Sequence, residues 1–170
     1  MPSPNFELIT ELQVTIRRDF PLAAEAILNP LDSRPLVEGE WLELDSNYML
    51  ARGGDNNAGT ADEGLNAAVF PVHTERGRYD TQSIKKANVI FLGMYEAETL
   101  VHPADLSGYQ VGDPLTVQDV THGGIVRRGL AKAAGTDERV VVGFISKITG
   151  TGAAAKVRFV HFGNQKISAV

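Results

Sequence analysis

The stretch YQVGDPLTVQDVTHGGIVRRGLAKAAGTDERVVVGFISKI, residues 109–148, decides the fold class. Turn-forming residues interrupt it at 111–114 (Val-Gly-Asp-Pro), 122–124 (His-Gly-Gly) and 134–137 (Ala-Gly-Thr-Asp), because Gly and Asp tolerate unusual dihedral angles and Pro fixes its own. The segments between them have the alternating pattern of half-buried strands. Residues 140–148 are apolar on both faces, which predicts a central strand. Turns at this spacing predict a small all-β barrel or sandwich.

The rest of the chain continues the pattern. Further strands are predicted over residues 6–16, 22–28, 36–44, 67–74, 89–94, 95–101 and 157–162, with 95–101 continuing the strand 89–94 after Gly93. The charged residues 17–19 are predicted to end the first strand, and 22–28, which could also form a short helix, is interpreted as a strand pairing with 36–44 in a hairpin. The second strand of that hairpin carries Trp41, the only tryptophan, which is interpreted as a core anchor.

A proline predicts which strand lies at an edge. Pro71 falls inside the strand predicted over 67–74, and proline has no backbone N–H to donate to a neighbouring strand. The sequence therefore predicts that this strand is exposed at the edge of its sheet. An open edge of this kind can accept a strand from a partner.

The length of 170 residues predicts one domain that is large enough to bury a core. Residues 1–5 contain two prolines and no apolar anchor, so they are predicted to form an extended N-terminal arm before a single β domain over 6–170. The fold prediction is thus an all-β barrel or jelly-roll-like sandwich of about nine to ten strands, well above the usual strand content. Residues 166–170 are predicted to be a tail.

Charge and composition restrict the partners. The net charge of −5 argues against a nucleic-acid partner. There is no cysteine, and no apolar run approaches the roughly 18 residues of a membrane span. The N-terminal residues lack the charged segment and apolar core of a secretory signal. These features predict a soluble protein made and kept inside a cell, or assembled there into something larger, without a membrane partner.

No catalytic or metal-binding motif is evident. The four histidines (His73, His102, His122 and His161) show neither the HxH nor the HExxH spacing of metal ligands. The two Gly-Gly pairs lack the context of phosphate-binding loops, and there is no GxSxG motif. Residues 52–66 are rich in Gly, Asn and Asp, but their spacing does not match a calcium loop. The sequence therefore predicts no enzyme, no cofactor and no metal.

The densest polar cluster, residues 73–80, supports two interpretations. It is either a binding edge whose arginines meet carboxylates on a partner, or an exposed turn with weak local ion pairs. The candidate interface with a partner or a second subunit comprises Pro2, Pro4, Phe6, Arg17, Arg18, Arg76, Arg78 and Tyr79.

Several phrases together resemble a known class of protein. The segments AEAILNP, LVEGEWLELDSNYMLARG, FPVHTERGRYDTQSIKKANVIFLGMYEAETL, YQVGDPLTV, GLAKA and VVVGFISKITG, in this order, resemble head decoration (cement) proteins of tailed bacteriophages. The resemblance implies a β-rich protein without catalytic residues, assembled in the host cytoplasm onto the outer surface of the capsid. There it would bridge neighbouring major capsid proteins as a homodimer or homotrimer. No individual functional residue is carried over.

Three alternatives remain open. The chain could be another virion part, such as a tail or head-completion protein. It could be a β-barrel enzyme, although it lacks the His-x-His of cupins. It could also be a carbohydrate-binding module, although aromatic residues make up only 7% of the chain.

Overall fold

The computed structural model describes residues 6–13, 15–22, 36–44, 47–51, 69–74, 86–133 and 139–167. Within these ranges the chain forms eleven strands in two antiparallel sheets, one of them nearly barrel-shaped, and no α-helix. A single 3₁₀ turn lies at Gly152–Ala154. The all-β prediction is confirmed. The predicted arm (1–5), the turn at 134–137 and nearly all of the predicted strand at 22–28 lie outside the described residues.

The eleven strands of the described ranges are numbered in chain order. They are β1 (Phe6–Glu11), β2 (Ile16–Pro21), β3 (Trp41–Leu44), β4 (Leu50–Ala51), β5 (Val69–Thr74), β6 (Lys86–Leu92), β7 (Tyr95–Thr99), β8 (Pro114–His122), β9 (Ile125–Lys132), β10 (Arg139–Thr149) and β11 (Lys156–Ile167). The six-stranded sheet has the order β1-β7-β11-β10-β8-β9, and the five-stranded sheet has the order β2-β6-β5-β3-β4.

Two chain segments pass from one sheet to the other at the same place, which we call the corner (residues 12, 13, 15, 93 and 94). β1 pairs with β7 in the six-stranded sheet, whereas β2 pairs with β6 in the five-stranded sheet. The backbone N–H groups of Leu12 and Gln13 both donate to the carbonyl oxygen of Met94, at 2.9 and 3.0 Å. Gly93 has a φ of 123°, which side-chain-bearing residues rarely adopt.

The corner corrects two sequence predictions. Residues 6–16 are not one strand, and the charged residues 17–19 lie inside β2 instead of ending β1. Residues 95–99 do not continue the preceding strand within its sheet, since β7 belongs to the other sheet. Apolar residues continue through both transitions, at Leu12 and Ile16 and at Leu92, Met94 and Tyr95, so the local pattern carries no sign that the chain changes sheets.

The edge-strand prediction for Pro71 was also wrong. β5 lies inside the five-stranded sheet, between β6 and β3, and Pro71 pairs with Trp41. The N–H of Val72 donates towards β3, to the carbonyl of Glu40, so the nitrogen of the preceding proline faces β6. The pairs between β5 and β6 begin only at Val72, opposite Val89. The sheet therefore accommodates Pro71 at a position where its nitrogen is not required to donate a hydrogen bond to β6.

The first core cluster lies between the sheets. Its buried residues are Phe6, Trp41, Ile90, Tyr95, Ala97, Leu115, Val117, Leu130, Val142, Ile145, Val157 and Phe159. Trp41 is 1% exposed, which confirms its predicted role as a core anchor. β10 lies between β11 and β8, as predicted from its apolar faces. Burial of each large side chain stabilises the fold by about 1.5–3 kcal/mol.

A second cluster covers the opposite face of the five-stranded sheet, because Leu42 and Val89 alternate with Trp41 and Ile90 along β3 and β6. Its buried members are Phe20, Leu22, Leu36, Leu42, Leu50, Phe70, Val72, Ala87 and Val89. β3 pairs with β4 and β5. Of the residues 22–28 predicted to pair with 36–44 in a hairpin, the structure describes only Leu22, which forms an isolated bridge with Leu50. The last strand is longer than predicted, since β11 continues to Ile167.

Candidate protein-binding surface

An apolar groove of about 550 Å³ opens at the corner, and both sheets contribute to it. It is lined by Gln13, Leu44, Phe70, Phe91, Leu92, Gly93, Met94, His161, Phe162 and Gly163. Among the described residues that line the groove, none carries a fixed charge and only His161 is titratable near neutral pH. A groove of this size and polarity can enclose apolar side chains of a partner.

The groove owes its shape to an irregularity in β11. The pairing with β10 shifts between Val141, which pairs with Gln165, and Gly143, which pairs with His161. Three residues of β11 (162–164) therefore lie opposite the single residue Val142. This irregularity is a β-bulge, and a bulge bends the strand that contains it. Gly163 supplies the positive φ of 97° that the bulge requires.

Exposed apolar side chains surround the corner beside the groove. We define the corner patch as Leu12, Ile16 and Leu92, which are 50%, 48% and 53% exposed. Ile16 pairs with Leu92 across β2 and β6, and Leu92 also lines the groove. The corner patch and the groove thus form one continuous apolar surface. Contiguous exposed apolar surface is a mark of an interaction site, whereas isolated exposed residues need no explanation.

His161 connects the groove to the core between the sheets. Its ring stacks on Tyr95 at a centroid distance of 4.6 Å and lies 6.0 Å from Trp41. Its Nδ1 lies 3.2 Å from the carbonyl oxygen of Gly93, so it also contacts the corner. Burial raises the pKa of the Tyr95 hydroxyl well above its usual value, so this neighbour of His161 stays neutral. The groove is therefore held in place by packing against the largest side chains of the core.

A buried polar cluster lies elsewhere, between β9 and the segment before β3. Arg127 Nη1 donates to Glu40 Oε2 at 3.1 Å, and the two side chains are 5% and 1% exposed. His122 lies close to this pair: burial lowers its pKa first, the charges of Arg127 and His102 lower it further, and a hydrogen bond to Leu100 opposes them. Within the described ranges, no three His, Cys, Asp or Glu side chains are placed to hold a metal ion. We interpret the cluster as a structural connection between the sheets.

The structure locates three of the eight candidate interface residues. Phe6 is buried, 4% exposed, with its ring against Phe159 and His73, so its side chain packs in the core. Arg17 pairs with Ile90 through its backbone in β2. Arg18 is exposed, with its guanidinium carbon 5.1 Å from the ring centre of Phe20. The remaining candidates, Pro2, Pro4, Arg76, Arg78 and Tyr79, lie outside the described residues.

The sequence predictions missed the groove, although one signal for it is present. Residues 89–92 (Val-Ile-Phe-Leu) are apolar at every position, and only alternate side chains of a strand can face the core between two sheets. Ile90 takes that position, and Phe91 and Leu92 line the groove. The excess apolar residues of this run could have indicated a second apolar surface.

The outer face of the six-stranded sheet carries a row of charges that we call the charged row. Glu7, Glu98, Arg158 and Lys147 are in register across the four neighbouring strands β1, β7, β11 and β10. Arg158 binds Glu98 Oε1 through Nη2 at 2.7 Å and Nε at 3.0 Å. Lys156 Nζ lies 3.4 Å from the other carboxylate oxygen of Glu98. The two inner members of the row are thus paired within the chain.

Replacing Glu98 by Gln is expected to destabilise the protein in a pH-dependent way. Burial raises the pKa of Glu98, but its hydrogen bonds to Arg158 and Lys156 and their charges outweigh this and lower it below the ordinary value. A lowered folded-state pKa stabilises the protein above the unfolded-state pKa, and this stability is lost as the pH falls through the folded-state value. We expect the variant to melt a few degrees below the native protein at pH 7 and the difference to vanish in strongly acidic buffer. A melting difference independent of pH would contradict this assignment.

Within the described ranges, no helix has the length and apolar character needed to span a membrane. Comparisons with protein-family models, curated proteins and solved structures found no match to this chain.

Proposed function

We propose that this chain is a structural protein of tailed bacteriophage heads, which binds the outer surface of the capsid and bridges neighbouring major capsid proteins. The sequence resemblance suggests the partner. The observation that carries the proposal is the continuous surface formed by the groove and the corner patch, because it leaves three large aliphatic side chains half exposed next to a cavity of about 550 Å³.

The proposed contact is apolar. A side chain of the capsid protein would enter the groove, and Leu12, Ile16 and Leu92 would be buried against the capsid surface around it. Full burial of an aliphatic or aromatic side chain contributes about 1.5–3 kcal/mol, so a few such contacts suffice for specific binding once the entropy cost of association is met. The net charge of −5 is compatible with an outward position, away from the packaged nucleic acid.

The mechanism of stabilisation is passive. The protein would bind surfaces that exist together only in the assembled shell, and not the free capsid subunits. A ligand that binds only one state stabilises that state by mass action, so occupancy at the junctions would raise the stability of the head against heat and internal pressure. No chemical step is involved.

Co-sedimentation of the purified protein with phage heads that lack it tests this function. We expect saturable binding with a stoichiometry that matches a symmetry axis of the shell. Absence of binding to every head form would reject the capsid role and favour another virion part, such as a tail or head-completion protein.

Replacing Leu92 by Asp is expected to weaken head binding by about tenfold or more, because a charge at the mouth of the groove would have to be desolvated in the complex. Leu92 is 53% exposed, so the domain should still fold, which circular dichroism would verify. The matched control is Val111→Asp, at a position 69% exposed and not among the residues that line the groove. Equal binding by the two variants would remove the groove and the corner patch from the interface.

A further inference from the structure

The charged row reads negative, negative, positive, positive across β1, β7, β11 and β10. When this order of charges is reversed and set against the original, every position faces a charge of the opposite sign. Its outer members, Glu7 and Lys147, are exposed, whereas Glu98 and Arg158 are already paired with each other. The row therefore presents one exposed charge of each sign, at opposite ends of the same line.

We propose that a second copy of this chain packs on the outer face of the six-stranded sheet, related by a two-fold axis parallel to the strands and lying between β7 and β11. This rotation sets β10 of one copy against β1 of the other. Glu7 then faces Lys147 of the partner subunit, and the symmetry forms this contact twice. An axis perpendicular to the strands would set each strand against its own copy and bring like charges together.

The neighbouring row supplies the apolar part of the contact. Thr10, Glu96, Val160 and Phe144 are in register across the same four strands. Phe144 is 40% exposed, and its ring lies 5.8 Å from that of Phe162. The same axis places Phe144 over the partner's Thr10. Burial of Phe144 from each copy would contribute apolar contact area, and the charged row would fix the orientation.

In this arrangement the two carboxylates of β7, Glu98 and Glu96, keep their partners within their own chain. Glu98 keeps Arg158 and Lys156, and Glu96 Oε1 accepts a hydrogen bond from Ser146 Oγ at 2.7 Å. The apolar end of this face adjoins the groove, because Phe144 lies against Phe162, which lines it. The inference nevertheless does not rest on the proposed capsid role, because self-association and head binding are separate measurements. Self-association can be measured with the purified chain alone.

Sedimentation equilibrium of the purified full-length protein tests the proposal with two charge-reversed variants. Glu7→Lys and Lys147→Glu each create two like-charge contacts in a dimer, so each alone should dimerise about tenfold more weakly than the native chain. An equimolar mixture should recover the native dimer affinity, since the lysine placed at position 7 of one chain then meets the glutamate placed at position 147 of the other. Lys86→Glu, an exposed reversal on the five-stranded sheet, is the control and should dimerise normally.

Recovery in the mixture cannot arise from a folding defect, because two misfolded variants would not restore each other. A native chain that stays monomeric at the highest concentration tested would overturn the proposal. So would single variants that dimerise like the native chain, or a mixture that remains as weak as its components.

Discussion

Replacing Val142 by Asp is expected to unfold the domain. Val142 is fully buried in the core cluster between the sheets, on the central strand β10. A carboxylate there would have no compensating charge or water, at a cost of several kcal/mol. Domains of this size are stable by only about 5–15 kcal/mol, so this one substitution removes a large part of the total. Circular dichroism and thermal melting would detect the loss of cooperative structure.

Val126→Asp provides the matched control for this substitution. Val126 is also a strand valine, in β9, but it is 49% exposed, and a carboxylate there stays in water. This variant should melt close to the native temperature. A soluble Val142→Asp protein with a cooperative transition near that of the control would show that the core does not lie where the structure places it.

Replacing Arg127 by Met is expected to lower the free energy of unfolding by about 3–5 kcal/mol. The substitution removes the guanidinium that pairs with Glu40, whose side chain is 1% exposed, so the buried carboxylate loses this opposite charge. The double variant Glu40→Leu with Arg127→Met removes both charges and should be near the native stability, because a buried ion pair contributes little net free energy relative to apolar residues of similar volume.

Urea unfolding of the native protein, both single variants and the double variant gives the coupling energy of this pair. The more exposed pair Lys132–Asp113, at 2.9 Å and with side chains 39% and 18% exposed, serves for comparison, and Lys132→Met should cost at most about 1 kcal/mol. If Arg127→Met were no more damaging than Lys132→Met, the buried pair would have no special role in joining the sheets.

The parts of the fold that depend on local chemistry could be predicted from the sequence. The turns at 111–114 and 122–124 are present, with positive φ at Gly112, Gly123 and Gly124. The first precedes β8 and the second separates β8 from β9, as expected. The conformation of a turn depends on the dihedral angles of its own residues, so a short segment of sequence is enough to predict it. The centrality of β10 followed from its apolar content on both faces for the same reason.

The order of strands within the sheets could not be predicted in this way. The corner exists because two distant segments leave their sheets together, and the internal position of Pro71 depends on where pairing with β6 begins. The groove is likewise assembled from separate stretches near residues 13, 44, 70, 91–94 and 161–163. The charged row is invisible in the linear sequence, since its four members acquire a common line only through strand register.

The corner also has a consequence for the kinetics of folding. Phe6 pairs with Thr99, and Phe20 pairs with Ala87. Strands β1 and β2 therefore pair with strands that are far along the chain and are synthesised much later. Closing such long loops costs conformational entropy before the stabilising contacts have formed. β proteins rich in pairings between distant residues accordingly fold in about milliseconds to seconds. The hairpin of β8 and β9 has no such delay, because its strands are separated by two residues. Nucleation is thus expected in the C-terminal half, with β1 and β2 docking last and together, since the same corner joins them.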